Sequence, residues 1–507
     1  MARRVVGWVG TCPTKHLVLL MVGVFAASRA AYFLAGVRFD ASSLPVAHHF
    51  LDPDLLRNCL AESLFYLHSQ PPLSNLFLGL VLKVSGHHYP AVFAACYQVM
   101  GLGLYLALFA LMRRVRVSRT AALGLSTLFM LSPSFLLYEH YLFYDLPLTA
   151  LLTASCLAFY GVLQRQTFWR ALCFFTIVFL LCALASMYHL GYFILVAAAV
   201  LTLRWRSRRA IMTAAALPLA LLVGLYTKNY VLFGQFASSS WAGMNLSAVT
   251  VRALPLEERK EMVAGGELPP LALVPRLSPL SAYPARYRHV RGFSSIPALR
   301  EASKTTRADN LNHLAYIGIS RQYLRDALYV ARHRPDALLT GWLNSWLCYF
   351  RSATDFPPLY GNLSKIAPVN VFYDYVFYGK IPRYRVALGP IPIYYAPYAE
   401  PRLYAFLLVG LPMLLVLGFR LALRPGRTPL RLTRDQRILL VCICLNIAYV
   451  AVVGNTVEVS ENHRFRFTTD PLYVVLLGLS VEWVKARRGQ GSTAGPTASA
   501  WPSDEHG

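Results

Sequence analysis

The sequence predicts an all-α polytopic membrane protein with about ten transmembrane helices and a mixed domain on the outer face. Three observations carry this. The chain is 56% hydrophobic and only 14% charged, well away from the balance of a water-soluble domain. The apolar residues gather in nearly uncharged blocks of about 17–22 residues, the length that crosses about 30 Å of hydrocarbon. The Arg residues, in turn, fall in alternate loops between those blocks, as the positive-inside bias requires.

The blocks, in order, are His16–Val37, Ala91–Leu111, Ala121–Leu137, Leu146–Leu163, Ala171–Met187, Leu190–Leu203, Ala210–Tyr226, Leu403–Leu423, Ile438–Gly454 and Pro471–Val484. The first is too long for a cleaved leader and has no small-residue cleavage site, so it reads as a span. Arg113, Arg114, Arg116 and Arg119 follow the second block, and Arg204, Arg206, Arg208 and Arg209 follow the sixth. Six Arg lie between Arg420 and Arg437, whereas Tyr138–Asp145 and Tyr188–Gly191 carry no Lys or Arg. Both termini are therefore expected in the cytoplasm of a multi-pass protein of the plasma (inner) membrane. Leu73–Ser85 is apolar but short and follows Pro71-Pro72; a full span there would invert every later loop, so a re-entrant or interfacial helix is expected.

This frame divides the chain into an N-terminal membrane module (1–231), a non-cytoplasmic domain (232–402), C-terminal membrane helices (403–488) and a disordered cytoplasmic tail (489–507). Within the domain, Leu338–Phe350, with Trp342 and Trp346 four apart, suits an interfacial helix. The net charge of +25 is used up in topology-setting loops, so nucleic acid is not an expected partner. The nine cysteines show no CxxC or zinc-ligand spacing and read as small core residues.

Ionisable groups are expensive near a span, so their clustering points to function. They collect on the outer side: Asp40, Asp52, Asp54, Glu62 and His68 in the first segment; Glu139, His140 and Asp145 in the second; Glu458, Glu461, His463, Arg464 and Arg466 in the last. Read singly, each is a solvated loop residue or, for Asp145 before an apolar helix, an N-cap. Taken together they are harder to dismiss, because loops this short stay at the membrane surface and face one another. Three motifs stand out: Tyr66–Leu73, where His68 and Gln70 precede Pro71-Pro72; Glu139–Pro147; and Glu461–Pro471, which places two Arg outside. Arg pairs there suit phosphate, through charge-assisted hydrogen bonds.

In this order these elements resemble the GT-C class of polytopic glycosyltransferases, and within it the dolichyl-phosphate-mannose-protein mannosyltransferase-like group (family 39, ArnT-like and RgtA/B/C/D-like). Asp40 stands where that family has an acid just past the first span, Pro71-Pro72-Leu73 matches its PPL motif, and Asp145 and Arg464–Arg466 match its later acid and Arg segment. The chain departs in having Ala41 after Asp40, and Ser69-Gln70 between His68 and the prolines. The resemblance implies an inverting transfer from a polyprenyl-phosphate sugar donor to a lipid, protein or glycan acceptor on the outer face. Asp40, with Asp145 and Glu139, is then expected to be catalytic. Arg464, Arg466 and Arg29 are expected at the donor phosphate, and His68, Gln70, His140 and Glu461 at the acceptor or at a divalent cation. The rival readings are a transporter or lipid flippase, and a surface-polysaccharide polymerase or ligase.

Overall fold

A computed structural model describes residues 12–290, 292–293, 295–381, 403–424 and 429–493. The protein is all-α, apart from a two-residue antiparallel pairing of Lys380–Ile381 with Leu403–Tyr404. The principal helices are α1 (Thr14–Leu34), α2 (Leu73–Ser85), α3 (Tyr89–Arg114), α4 (Arg119–Met130), α5 (Pro133–Glu139), α6 (Asp145–Gln164), α7 (Phe168–Leu184), α8 (Leu190–Leu203) and α9 (Arg208–Phe233). They continue as α10 (Ala242–Val249), α11 (Ala315–His333), α12 (Pro335–Tyr349), α13 (Ala367–Val376), α14 (Leu411–Leu423), α15 (Arg434–Val457), α16 (Asn462–Phe467) and α17 (Asp470–Thr493).

Among the described residues six helical segments are long and apolar enough to cross a membrane, and a seventh forms if α4 and α5, bent by 58° at Leu131–Ser132, count as one span. The bend has a local cause: Pro133 opens α5, and the Ser132 hydroxyl caps it by accepting from the Phe135 amide at 3.3 Å. Against the expectation of about ten, α7 and α8 are apolar but shorter, at 17 and 14 residues. The predicted re-entrant segment is helical over its full extent as α2. It packs on the short helix Pro53–Asn58 and joins α3 through a 3-10 turn at Gly86, whose positive φ of 52° suits glycine. The last helix runs to Thr493, so 489–493 is helix and not tail; 494–507, like the Arg3-Arg4 terminus, lies outside the described residues.

At the centre stands α6, which packs against α3, α7, α15 and α17. Its apolar window and that of α15 are each 56% buried, against 22% for α1 at the edge. The Arg-rich loops gather at one end of the bundle. Arg119 donates to the Cys12 carbonyl at 2.9 Å, Gln436 to the Arg114 carbonyl at 3.0 Å, and Arg204 pairs with Asp435 at 2.5 Å. At the other end the described residues of 234–377 form a helical cap. Its α10 lies against α11 and α12 with glycine at both contacts: a Cβ on Gly243 would sit 1.9 Å from the Ser320 carbonyl oxygen, and one on Gly341 2.1 Å from that of Val249.

The cap is stitched to the first segment of the membrane module. The His68 ring bonds the Ser240 hydroxyl and the Asn312 carbonyl, each at 2.9 Å, and Asp52 accepts from the Thr305 amide and hydroxyl at 2.6 and 2.8 Å. The predicted interfacial helix is α12, starting three residues early at Pro335, where Pro is tolerated at the first helical turn.

Candidate active site

The site starts with backbone. After α1 the chain turns through Asp40, whose amide donates to the His140 carbonyl at 2.7 Å and whose carbonyl accepts from the Leu142 amide at 2.9 Å. This parallel bridge holds the Tyr141–Tyr144 loop at the cap end of the bundle, directly before α6. Asp145 is the first residue of α6, where a carboxylate is favoured by the amide dipoles of the helix N-terminus, and it is 1% exposed.

Arg464, on the short α16, reaches this carboxylate. Its Nη1 lies 3.6 Å from Asp145 Oδ2, and its Nη2 lies 2.7 Å from Glu461 Oε2. Nη1 also donates to the Tyr144 hydroxyl at 3.3 Å. Around the guanidinium stand Phe143, Phe356, Phe465 and Tyr144, with centroids 4.9–5.4 Å from Cζ. Cation–π attraction is strongest in such a dry setting. Burial works against the charge, but the Asp145 carboxylate and its neighbours outweigh it and hold the Arg464 pKa well above the usual value.

The pair opens into a cavity of about 990 Å³, large enough for a sugar phosphate. Its polar side carries Asp145, Arg464, Glu461, Gln70, His49 and a second ion pair, Arg276 with Glu458. Arg276 comes from the cap and grips both carboxylate oxygens of Glu458, while its Nη1 donates to Asn245 at 2.9 Å. Burial raises the Glu458 carboxyl above its ordinary range, with Arg276 opposing. The cavity lining also includes apolar side chains: Ile194 of α8, Phe236 and Val457 are 49%, 55% and 37% exposed, so the cavity reaches apolar surface of the bundle.

Of the residues the sequence singles out, Asp145, Arg464, Glu461, Glu458 and Gln70 line this cavity. The other proposed site residues do not. The Asp40 side chain folds back to accept from the Ser42 amide at 2.8 Å, and the lining on that stretch is made by Ser42 and Ser43. Glu139 and Arg29 instead neutralise each other inside the bundle, at 2.5 Å, with Arg29 also over the Phe25 ring at 4.1 Å. The space for Glu139 depends on Gly101, where a Cβ would meet Oε1 at 2.2 Å. Arg466 spends its guanidinium on the Tyr349 and Arg351 carbonyls, both at 3.0 Å, and on Asp470 at 2.8 Å. His68 is a cap fastener, and His140 bonds the Leu136 carbonyl at 2.9 Å. No cluster of three or more His, Cys, Asp or Glu side chains that could hold a metal ion forms among the described residues, and His68 and His140, expected at the acceptor or at a divalent cation, belong to no such group.

Sequence reasoning missed His49, Arg276 and Trp241. The adjacent pair His48-His49 in an otherwise apolar stretch was a usable signal; Arg276, in a Pro-rich stretch far from any motif, offered none. Comparisons of the chain with protein-family models, with curated proteins and with solved structures find no match, so the site stands on its own geometry.

Proposed function

We propose that this protein is a membrane glycosyltransferase that moves a sugar from a polyprenyl-phosphate donor to an acceptor at the cap face, by inverting displacement. The observation that carries the reading is Arg464: a charged guanidinium, set in aromatic rings, at a cavity that also reaches the exposed apolar side chains Ile194, Phe236 and Val457. A lipid phosphate needs both. Its head group meets the cation, and its chain leaves past Ile194, Phe236 and Val457 without entering water. Asp145 and Glu461 fix the guanidinium, so it is organised before charge develops on the leaving phosphate.

On this reading the Arg-rich end is cytoplasmic and the cavity faces outward; α7, α8 and α17 cross the membrane together with the longer helices, giving the full set of spans. The acceptor, whether lipid, protein or glycan, enters beneath the cap. A flippase or transporter is less well supported, because such proteins place their binding groups near the midplane. Here the ionisable groups inside the bundle, Arg29 and Glu139, are closed on each other.

The test is transfer from a polyprenyl phosphate carrying radiolabelled mannose, glucose or arabinose to acceptors in membranes holding the full chain. Arg464→Gln is expected to lower turnover about 100-fold or more. Transfer that continues at the wild-type rate in that variant would end the proposal.

A further inference from the structure

His49 lies between the short helices Ser43–Val46 and Pro53–Asn58 and lines the same cavity. Its ring is held by Phe143, Tyr144 and Trp241, with centroids 5.2, 5.5 and 5.3 Å away and all three contacts edge-on. Three such contacts, two from the Tyr141–Tyr144 loop and one from the cap, fix the plane of the imidazole. Its nitrogens hydrogen-bond nothing among the described residues, and they are not sealed from the cavity. Phe143 and Tyr144, the rings that clamp His49, also carry the Arg464 guanidinium, at 4.9 and 5.4 Å. Imidazole and guanidinium are thus set against one aromatic pair, with Asp145 next in the chain.

Two of the cavity's carboxylates are committed: Glu461 pairs with Arg464 at 2.7 Å, and Glu458 is gripped by Arg276. Asp145 stands 3.6 Å from Arg464, and neither of its buried oxygens accepts a hydrogen bond among the described residues. His48 and His189 also line the cavity, but neither shares the rings that hold Arg464. The charged groups around His49 are Arg464, His48, Lys304 and Arg276, with Asp145, Glu461 and Glu458 behind the first and last of them. Burial first, and then the Arg464 charge, keep the ring neutral at pH 7.

We propose that His49 is the base of the transfer, a role that rests on the glycosyl-transfer reading. The acceptor hydroxyl oxygen forms the bond to the anomeric carbon, and its proton passes to the imidazole. The bond between that carbon and the phosphate oxygen breaks, its electron pair leaving on the lipid phosphate, where Arg464 offsets the added negative charge. The imidazolium then releases its proton to water, and no other reactant is needed.

The experiment compares wild type and His49→Gln as the full chain in lipid nanodiscs, with the radiolabelled polyprenyl-phosphate sugars above and membrane acceptors. His49→Gln is expected to lower kcat about 100-fold or more while the donor KM stays within about threefold. The wild-type kcat should fall as pH drops, with the acid limb below pH 6.5, and His49→Gln should lose that limb. A His49→Gln protein that melts like wild type and keeps kcat within about threefold overturns the proposal. If the variant does not fold, modification of wild type by diethyl pyrocarbonate decides: His49 should be carbethoxylated, abolishing transfer, and polyprenyl phosphate should protect it. A His49 that stays unmodified, or is modified without loss of transfer, overturns the proposal. Silence of the wild type with every donor, with His49 reactive and lipid-protected, would instead overturn the transfer reading, and the base role with it.

Discussion

Two arginines, two positions apart, show how much a single side chain's surroundings decide. Arg464 faces the cavity; Arg466 points into the joint between α12 and α17 and makes three hydrogen bonds there. Arg466→Ala is therefore expected to cost stability, about 3–5 kcal/mol, because it strands the Asp470 carboxylate and two carbonyls. Thermal melting in detergent measures it, and donor affinity of the surviving folded protein should be unchanged. Asp40→Asn is expected to be nearly silent in a transfer assay: the Asn Oδ1 still accepts from the Ser42 amide, and the native carboxylate does not line the cavity. A loss of turnover above about tenfold would return Asp40 to the catalytic set. At this scale the sequence was a partial guide. It marked the right loops, since ionisable residues beside apolar blocks are conspicuous. Yet which of Arg464 and Arg466 reaches Asp145 depends on the direction a six-residue helix faces, and that is set by contacts with α6 and α12 far away in the chain.

Helices were more legible than side chains. Leu73–Ser85 matches its predicted bounds, because Pro72 and Gly86 punctuate it at both ends. The crowding inside the cap was invisible, since no local pattern reports that Gly243 abuts the Ser320 carbonyl. Gly243→Ala is expected to destabilise the cap by about 1–3 kcal/mol or more, because the obstacle is backbone and cannot rotate away. Hydrogen exchange across α10 and α11 would report it as faster opening of those helices only. The short α13 makes a second case. Tyr373 is buried and donates to the Leu128 carbonyl of α4 at 3.0 Å, while Val371, Phe372 and Val376 are at least half exposed. A helix fastened to a span with an apolar face outward belongs in acyl chains. A spin label replacing Phe372 is expected to be relaxed by oxygen, which partitions into lipid, and not by a water-soluble nickel chelate.

For the molecule as a whole, the division into an Arg-rich end and a cavity end follows from the loop asymmetry, and the bundle is built accordingly. The cap is bolted to the first loop through His68, Asp52 and Asn312, a joint that no local sequence pattern announces. That bolt is sensitive to acid. Burial, first of all, pushes the His68 pKa down from 6.5 to about 3, so its ring stays neutral, accepting from Ser240 and donating to Asn312. Between those values the unfolded chain binds a proton that the folded chain refuses. The contribution is complete above about pH 6.5 and is lost progressively as pH falls toward 3. Melting temperature should therefore drop on going from pH 7.5 to pH 5, and His68→Asn should flatten part of that dependence.

The clasp between Arg276 and Glu458 has a further consequence, in the order of events at the ribosome. The cavity walls come from the first loop, the cap and the turn after α15, so the pocket does not exist until Glu458, Glu461 and Arg464 have been synthesised and threaded into place. Until then the stacked rings of Phe143 and Tyr144 lack the guanidinium that lies against them. On the proposed reading, activity would arrive late and all at once, and a chain that stops short of α16 is expected to be inert.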